Sequence, residues 1–256
     1  SFGLYFIAEN ISADVTVLDF PTLPRFIREI RKGYDVIGIS FITPNFLKAR
    51  EMARLVRQHA PNAVIVLGGH GAAIEGVENH IECDHVVKGE GIGGFREFLG
   101  QDPSAPITHP LLPANETQRV FGLRIPGPVD SLLAPGVGCI NGCKFCSTSH
   151  FFGKAYSPFL KTGRDVFNEV CRISEARRTI RFGVMDENFL KDRDRAMELL
   201  ELMEKNQRWF GFRVFSSAET ISAFGIDNLV RLGVDFVWIG FESQDDQAYT
   251  KNAGVD

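Results

Sequence analysis

Two runs of alternating strand and helix patterns, parted by a proline-rich stretch, predict an α/β protein built from two parallel-sheet units. Each strand-like run ends in a short loop of small or polar residues. Three of the five cysteines crowd into one of those loops, at Cys139, Cys143 and Cys146. The pattern assigns residues 1–105 to a first unit, 106–130 to a linker, and 131–256 to a second unit.

In the first unit, residues 4–12 are apolar and helix-compatible, and 15–20 read as a buried strand. A helix is predicted over 22–32, with Phe26, Ile27 and Ile30 on one face and Gly33 as its stop. A strand over 36–41 leads to a helix over 45–59, where Leu47, Met52, Leu55 and Val56 recur at helical spacing. Pro61 ends that helix. A strand over 63–67 runs into Gly68-Gly69-His70-Gly71, followed by a helix near 72–80, a strand over 85–87 and a helix near 95–99. Ligands of such sheets bind beyond the carboxyl ends of the strands. That description singles out the loops 40–44, 68–71 and 88–91. The first strand of the unit is expected to be missing, because the chain opens on what reads as the helix after it. These residues also suit a flavodoxin-like domain holding a nucleotide or a partner, since fold alone does not fix function.

The stretch 101–128 carries six prolines and no sustained period, and reads as a linker wrapping between two domains. Beyond it, strands are expected at 131–137, 179–185, 209–216 and 235–241, with helices near 163–175, 192–206 and 223–232. Ala196, Leu199, Leu200 and Met203 give the second of these helices an apolar face. Every strand ends in polar residues, and the face where such ends gather is where barrels of this kind place their active sites. Four strands are too few for even a partial barrel of six, so the second unit is expected to be cut short.

The cysteine loop carries the chemistry. A spacing of C-x-x-x-C-x-x-C lets thiolates converge on one metal centre, because a short loop curls around it. Three ligands favour a 4Fe–4S cluster with one open iron over structural zinc, which takes four protein ligands. Zinc with His150 as a distant fourth ligand and three unrelated buried cysteines are the alternatives. Gly138 and Gly142 suit the tight backbone of such a loop. Cys83 and Cys171 stand alone and read as small buried hydrophobes.

Composition sets outer limits. A formal net charge of -4 argues against a general nucleic-acid binder, and no apolar run reaches the ~18 residues of a membrane span. Sparse, clustered cysteine fits a reducing cytoplasm better than a disulfide framework. Phe is frequent, at 22 against four Tyr, which suits core packing before it suits an apolar pocket.

Residues 34–72, followed by 85–91 (HVVKGEG), resemble the cobalamin-binding domain joined to many radical S-adenosylmethionine enzymes. By motif position the resemblance implies cobalamin contacts from Ser40, Phe41, Thr43, Gly68, Gly69, Gly71 and Glu90. The family often continues G-E-G-E, whereas Ile92-Gly93 follows here. The D-x-H-x-x-G motif, which supplies an axial histidine to cobalt in other cobalamin proteins, is absent from these residues, in agreement with members of the family that lack a histidine ligand, and His70 reads as a solvent-facing loop histidine. The cysteine motif, with Phe145 before its last cysteine, resembles the signature of the radical S-adenosylmethionine superfamily. The segments 185–189 (MDENF), 216–220 (SSAET) and 240–243 (GFES) resemble strand ends of its cobalamin-linked branch.

The fold thus implied is a flavodoxin/Rossmann-like cobalamin-binding domain followed by a partial (β/α) TIM-type barrel, truncated at both ends. Cys139, Cys143 and Cys146 would ligate three irons of a 4Fe–4S cluster, and S-adenosylmethionine would chelate the fourth. Phe145 would lie near its adenine, Glu187 and Asp186 would accept from its amino group, and Ser217, Glu219, Glu242 and Ser243 would reach its ribose or methionyl end. The implied activity is a cobalamin-dependent radical enzyme in which reductive cleavage yields a 5′-deoxyadenosyl radical and methylcobalamin methylates an unactivated carbon. The substrate would be a small molecule or peptide, and the reductant a protein such as flavodoxin or ferredoxin. Oxidative cyclisation or ring rearrangement with the same cofactors is the rival within the class. An iron–sulfur electron carrier or metal-binding scaffold is the rival from another class. A methylthiotransferase would need a second cysteine trio near Cys83, where none exists.

Overall fold

The computed structural model describes residues 2–112, 117–121, 123–126 and 130–240. The chain divides into two compact units, Ser1–Pro110 and Leu111–Asp256.

The first unit holds helices α1 (Phe2–Glu9) and α2 (Leu23–Ile30). Strand β1 (Val36–Ser40), helix α3 (Phe46–His59), strands β2 (Val64–Gly68) and β3 (His85–Val86), and helix α4 (Ile92–Phe98) follow. The three strands form a parallel sheet in the order β1-β2-β3. Ile37, Ile39, Ile65 and Leu67 bury against Phe26 and Ile30 of α2 and Ala53 and Val56 of α3. Each fully buried aliphatic or aromatic side chain contributes ~1.5–3 kcal/mol. Cys83 packs against this core and Cys171 against that of the second unit.

Two expectations fail here. Residues 15–20 form no strand, and Val15 is 44% exposed. A strand needs a neighbour for its backbone groups, and among the described residues none pairs with this segment. Instead 13–18 line one side of a cavity of about 610 Å³ walled by Leu4, Ile7, Gly38 and Phe95. The helix expected near 72–80 is two 3-10 turns, His70–Ala73 and Val77–Asn79, because Gly76 at φ 63° breaks the run between them.

Residues 105–109 of the proline-rich stretch are held by specific bonds. The Arg96 guanidinium is buried and donates to the carbonyls of Asn10, at 2.6 Å, Ala105 and Pro106. Asn10 in turn bonds both backbone groups of Thr108, and His109 packs edge-on against Phe6. Strands β4 (Thr117–Val120) and β5 (Leu123–Pro126) pair antiparallel.

The second unit is built on β6 (Asp130–Leu133), β9 (Arg181–Val184), β10 (Gly211–Ser216) and β11 (Val234–Ile239), parallel and neighbouring in chain order. This is the arrangement of the first four strands of a barrel. The expected first strand over 131–137 is split. Pro135 cannot donate to the ladder, and its carbonyl instead takes the N–H groups of Phe159 and Leu160. Strand β7 (Gly136–Gly138) therefore leaves the sheet and pairs antiparallel with β8 (Tyr156–Pro158), with α5 (Ser147–Phe151) between them. Helices α6 (Gly163–Arg177) and α7 (Arg193–Asn206) cover one face of the sheet. The helix expected over 223–232 is two helices, α8 (Ala218–Phe224) and α9 (Ile226–Leu232), parted at Gly225 with φ 88°.

Val166, Val170 and Ile173 of α6 and Ala196, Leu199, Leu200 and Met203 of α7 pack on Phe182, Val184, Phe212 and Val214 of the sheet. On the opposite face, at the amino ends of the strands, Arg213 pairs with Asp130 at 2.7 Å and Arg181 with Asp235 at 3.1 Å. Their partial exposure makes each pair worth little alone. No helix among the described residues is long and apolar enough to cross a membrane.

The crossing of α6 and α7 leaves no room at Gly163, where a β-carbon would lie 2.5 Å from the Arg195 carbonyl and the Leu199 nitrogen. Gly163→Ala is expected to cost about 1–3 kcal/mol by forcing the helices apart. Its urea midpoint should fall with the m-value unchanged.

Candidate functional site

The described residues among those singled out in the second unit follow the carboxyl ends of its strands. Cys139 follows β7 directly, and its loop closes into α5, where Cys146 is the N-cap and its Sγ accepts from Ser149 N at 3.5 Å. Ser149 Oγ returns to the Cys139 carbonyl at 3.0 Å, so the two ends of the motif are stitched together. Gly138 and Gly142 have φ of 91° and 66°, which only glycine adopts without strain. A side chain at Gly138 would also run into the Ala155 carbonyl. Cys143 is buried, and Cys139 and Cys146 are partly so. Burial, with smaller effects of Cys143, Glu187 and Cys146 close by, pushes the Cys139 thiol up.

Among the described residues, no group of three His, Cys, Asp or Glu side chains stands in a metal-holding arrangement. The donor set nonetheless fits a soft metal centre in its chemistry, with three sulfur donors on one short loop.

Asp186 and Glu187 follow β9 and have different roles. Asp186 is buried and accepts from Tyr156 Oη at 2.6 Å, Arg195 Nη2 at 3.1 Å and Asn188 N at 3.0 Å. Its carboxylate is committed inside the protein. Glu187 keeps an open surface. Desolvation of its carboxyl by neighbouring protein atoms pushes its pKa up to about 7.

Ser217 is buried after β10, with Asn188 Nδ2 donating to it at 3.1 Å and Thr220 Oγ1 at 2.9 Å. Glu219 pairs with Lys191 at 3.0 Å. Phe145 is half-exposed on the loop. Glu242 and Ser243 lie outside the described residues. Of the candidates that the structure describes here, Glu187 and Phe145 present the most open surface, and Asp186 and Ser217 serve the scaffold.

Sequence reasoning missed Tyr156 and Arg195. Arg195 offered a signal, since it lies four residues before Leu199 on the buried stripe of α7. A charge on that stripe needs a partner. Tyr156 offered none, because its partner is thirty residues away in sequence.

In the first unit, the loops after β1 and β2 are bound to each other. Phe41 N donates to the Gly68 carbonyl at 3.1 Å and Gly71 N to the Phe41 carbonyl at 2.8 Å. A β-carbon at Gly69 would sit 2.7 Å from the Phe41 carbonyl, and one at Gly71 would run into the Phe41 ring. These two glycines and Phe41 therefore make the loop pair compact. Gly68 differs, because a β-carbon there would meet nothing nearer than 3.9 Å; Ser40, its partner across the strands, is exposed, as is Thr43. That open backbone with two hydroxyls fits a large flat ligand over the strand ends. Glu90 caps α4, taking the N–H groups of Ile92 at 2.8 Å and Gly93 at 2.7 Å. Gly93 makes room for it, since a β-carbon there would be 2.8 Å from Glu90 Oε1. His70 is partly buried in this loop, not solvent-facing, and burial holds its pKa below the ordinary value.

Residues 1–99 match the family described as the B12 binding domain. The first unit is a B12 binding domain. Over 249 residues the chain is 28% identical to a bacteriochlorophyllide d C-12(1)-methyltransferase of Chlorobaculum tepidum, covering 90% of this chain. The chain spans about half the length of that relative, 52%. Both findings accord with the resemblance to cobalamin-binding radical S-adenosylmethionine enzymes read in the sequence, and the B12 binding domain is joined here to a parallel sheet bearing a three-cysteine loop.

The raised carboxyl of Glu187 fixes a pH signature. Between about pH 4.5 and 7 the folded protein holds a proton that the unfolded chain has released. Stability from this group is therefore present at low pH and is lost as pH rises through about 7. Thermal midpoints of Glu187→Gln should rise relative to the parent as pH increases across that window. A constant difference would contradict the assignment.

Proposed function

We propose that the protein is a cobalamin-dependent radical S-adenosylmethionine C-methyltransferase. The observation that carries this reading is the union, in one chain, of a B12 binding domain with a C-x-x-x-C-x-x-C loop at the carboxyl end of a parallel sheet. When bound, the 4Fe–4S cluster would supply one electron to S-adenosylmethionine, and cobalamin would carry the methyl group. Cys139, Cys143 and Cys146 would hold the cluster. Glu187, ionised when a cation lies beside it, would receive the amino group of S-adenosylmethionine. Phe145 would cover its adenine from the loop. Ser40, Thr43 and the open backbone at Gly68 would receive cobalamin.

The substrate reading follows from the sheet face turned away from the helices. Val214 and Val237 pack toward the helical core, so Phe215, Phe236 and Trp238 point to the other side. Trp238 is 60% exposed, and its ring lies 6.1 Å from Phe215 and 6.2 Å from Phe236. An exposed aromatic strip favours a flat, apolar acceptor by stacking. The relative named for bacteriochlorophyllide makes a conjugated macrocycle of that kind the first substrate to try.

The test is an anaerobic assay of the full-length protein with reductant, S-adenosylmethionine, methylcobalamin and a bacteriochlorophyllide. Formation of 5′-deoxyadenosine together with a product heavier by one methyl group is expected, and Trp238→Ala should raise KM more than it lowers kcat. A dehydrogenated product with no added methyl would turn the reading to oxidative cyclisation. No cleavage of S-adenosylmethionine would turn it to an electron carrier.

A further inference from the structure

The cysteine loop leaves the sheet and returns through a hairpin of three residue pairs, Gly136–Pro158, Val137–Ser157 and Gly138–Tyr156. A two-stranded ribbon is marginal by itself, so something else must fix where the loop sits. The last of these pairs sets Tyr156 directly opposite Gly138, the residue before Cys139. The hairpin is shaped around the Tyr156 ring, since a β-carbon at Gly136 would lie 2.5 Å from its hydroxyl oxygen.

Tyr156 Oη donates to Asp186 Oδ2 at 2.6 Å and receives Arg195 Nη1 at 2.7 Å. Arg195 Nη2 reaches the same Asp186 oxygen at 3.1 Å, and both charged side chains are 2% exposed. The guanidinium also lies 5.3 Å from the centres of the Tyr156 and Phe189 rings. Burial beside Asp186 keeps the phenol protonated, well above its ordinary range. The start of the cysteine loop is thus held from the end of β9 by the Asp186 carboxylate acting through Tyr156.

We propose that Arg195, Asp186 and Tyr156 are positioning residues that clamp the start of the cysteine loop at the strand ends. The assignment rests on the cluster reading given above. A buried ion pair adds little net stability compared with an apolar replacement, because desolvation offsets its attraction. Arg195 sits on a helix whose other inward residues are all apolar, where an aliphatic side chain would satisfy packing alone. The charge instead serves to fix Asp186 and the Tyr156 hydroxyl at one place. Arg195 itself is fixed by α7, which Gly163 lets seat against α6. The chain of contacts therefore runs from the helical layer, through three side chains, to the residue before the first cysteine.

Tyr156→Phe removes one hydroxyl and keeps the ring, and Asp186→Asn keeps the shape and removes the charge. Leu229→Ala, in the core beneath α9, serves as a control for lowered stability alone. In the full-length protein reconstituted anaerobically with iron and sulfide, both clamp variants should lose iron to a chelator about 10- to 100-fold faster than the parent. The reduced-state magnetic resonance spectrum should shift with them, and Leu229→Ala should leave both unchanged. Metal-free protein gives an independent reading, in which backbone amides of 138–146 should exchange at least about tenfold faster in Tyr156→Phe. Clamp variants that match Leu229→Ala in iron loss and in exchange would overturn the assignment. A parent protein that takes up no cluster would sink the cofactor reading alone, and amide exchange would still decide whether the clamp holds the loop.

Discussion

The second unit depends on one constraint: a loop of three thiols must leave a parallel sheet and still be held in place. Pro135 forces the departure, because it cannot continue the ladder that β6 begins. The short β7–β8 pairing brings the chain back but is too small to fix the excursion. The buried set of Arg195, Asp186 and Tyr156 supplies the fixation, and the Gly163 crossing of α6 and α7 fixes Arg195. Removing one partner would strand a buried charge at a cost of about 3–5 kcal/mol. That is a large share of the stability of a typical domain.

Most of the fold was legible because burial imposes a period. The four parallel strands of the second unit and the apolar stripe of α7 follow from it, as do β1, β2 and α3 in the first. Where period alone was read, the limits were physical. Residues 15–20 are apolar enough for a strand, but no neighbour among the described residues pairs with them. Residues 131–137 look like one strand until the missing N–H of Pro135 is taken into account. Gly76 and Gly225 each divide a helix that composition alone would continue.

The candidate site was legible in location more than in role. Motif position led to the strand ends, but not to which side chains the scaffold had already engaged. Asp186 answers to Tyr156 and Arg195, Ser217 to Asn188 and Thr220, Glu219 to Lys191, and Glu90 to the first turn of α4. Those partners are distant in sequence or are backbone groups, so no local pattern announces them. Phe41, Gly69 and Gly71 likewise prove to be one packed unit. Glu187, Phe145, Ser40, Thr43 and Gly68 emerge as the positions with surface to offer a ligand.

The central claim is that one chain carries both a cobalamin site and a thiol-held iron–sulfur site. The absorption spectrum of the full-length protein, purified anaerobically with iron and cobalamin supplied, tests it most directly. Cobalamin bands should appear over a broad iron–sulfur shoulder. Replacing Cys139, Cys143 and Cys146 together by alanine should remove the shoulder and leave the cobalamin bands. Cobalamin bands without a shoulder in the parent protein, or a shoulder that survives the triple replacement, would contradict the account.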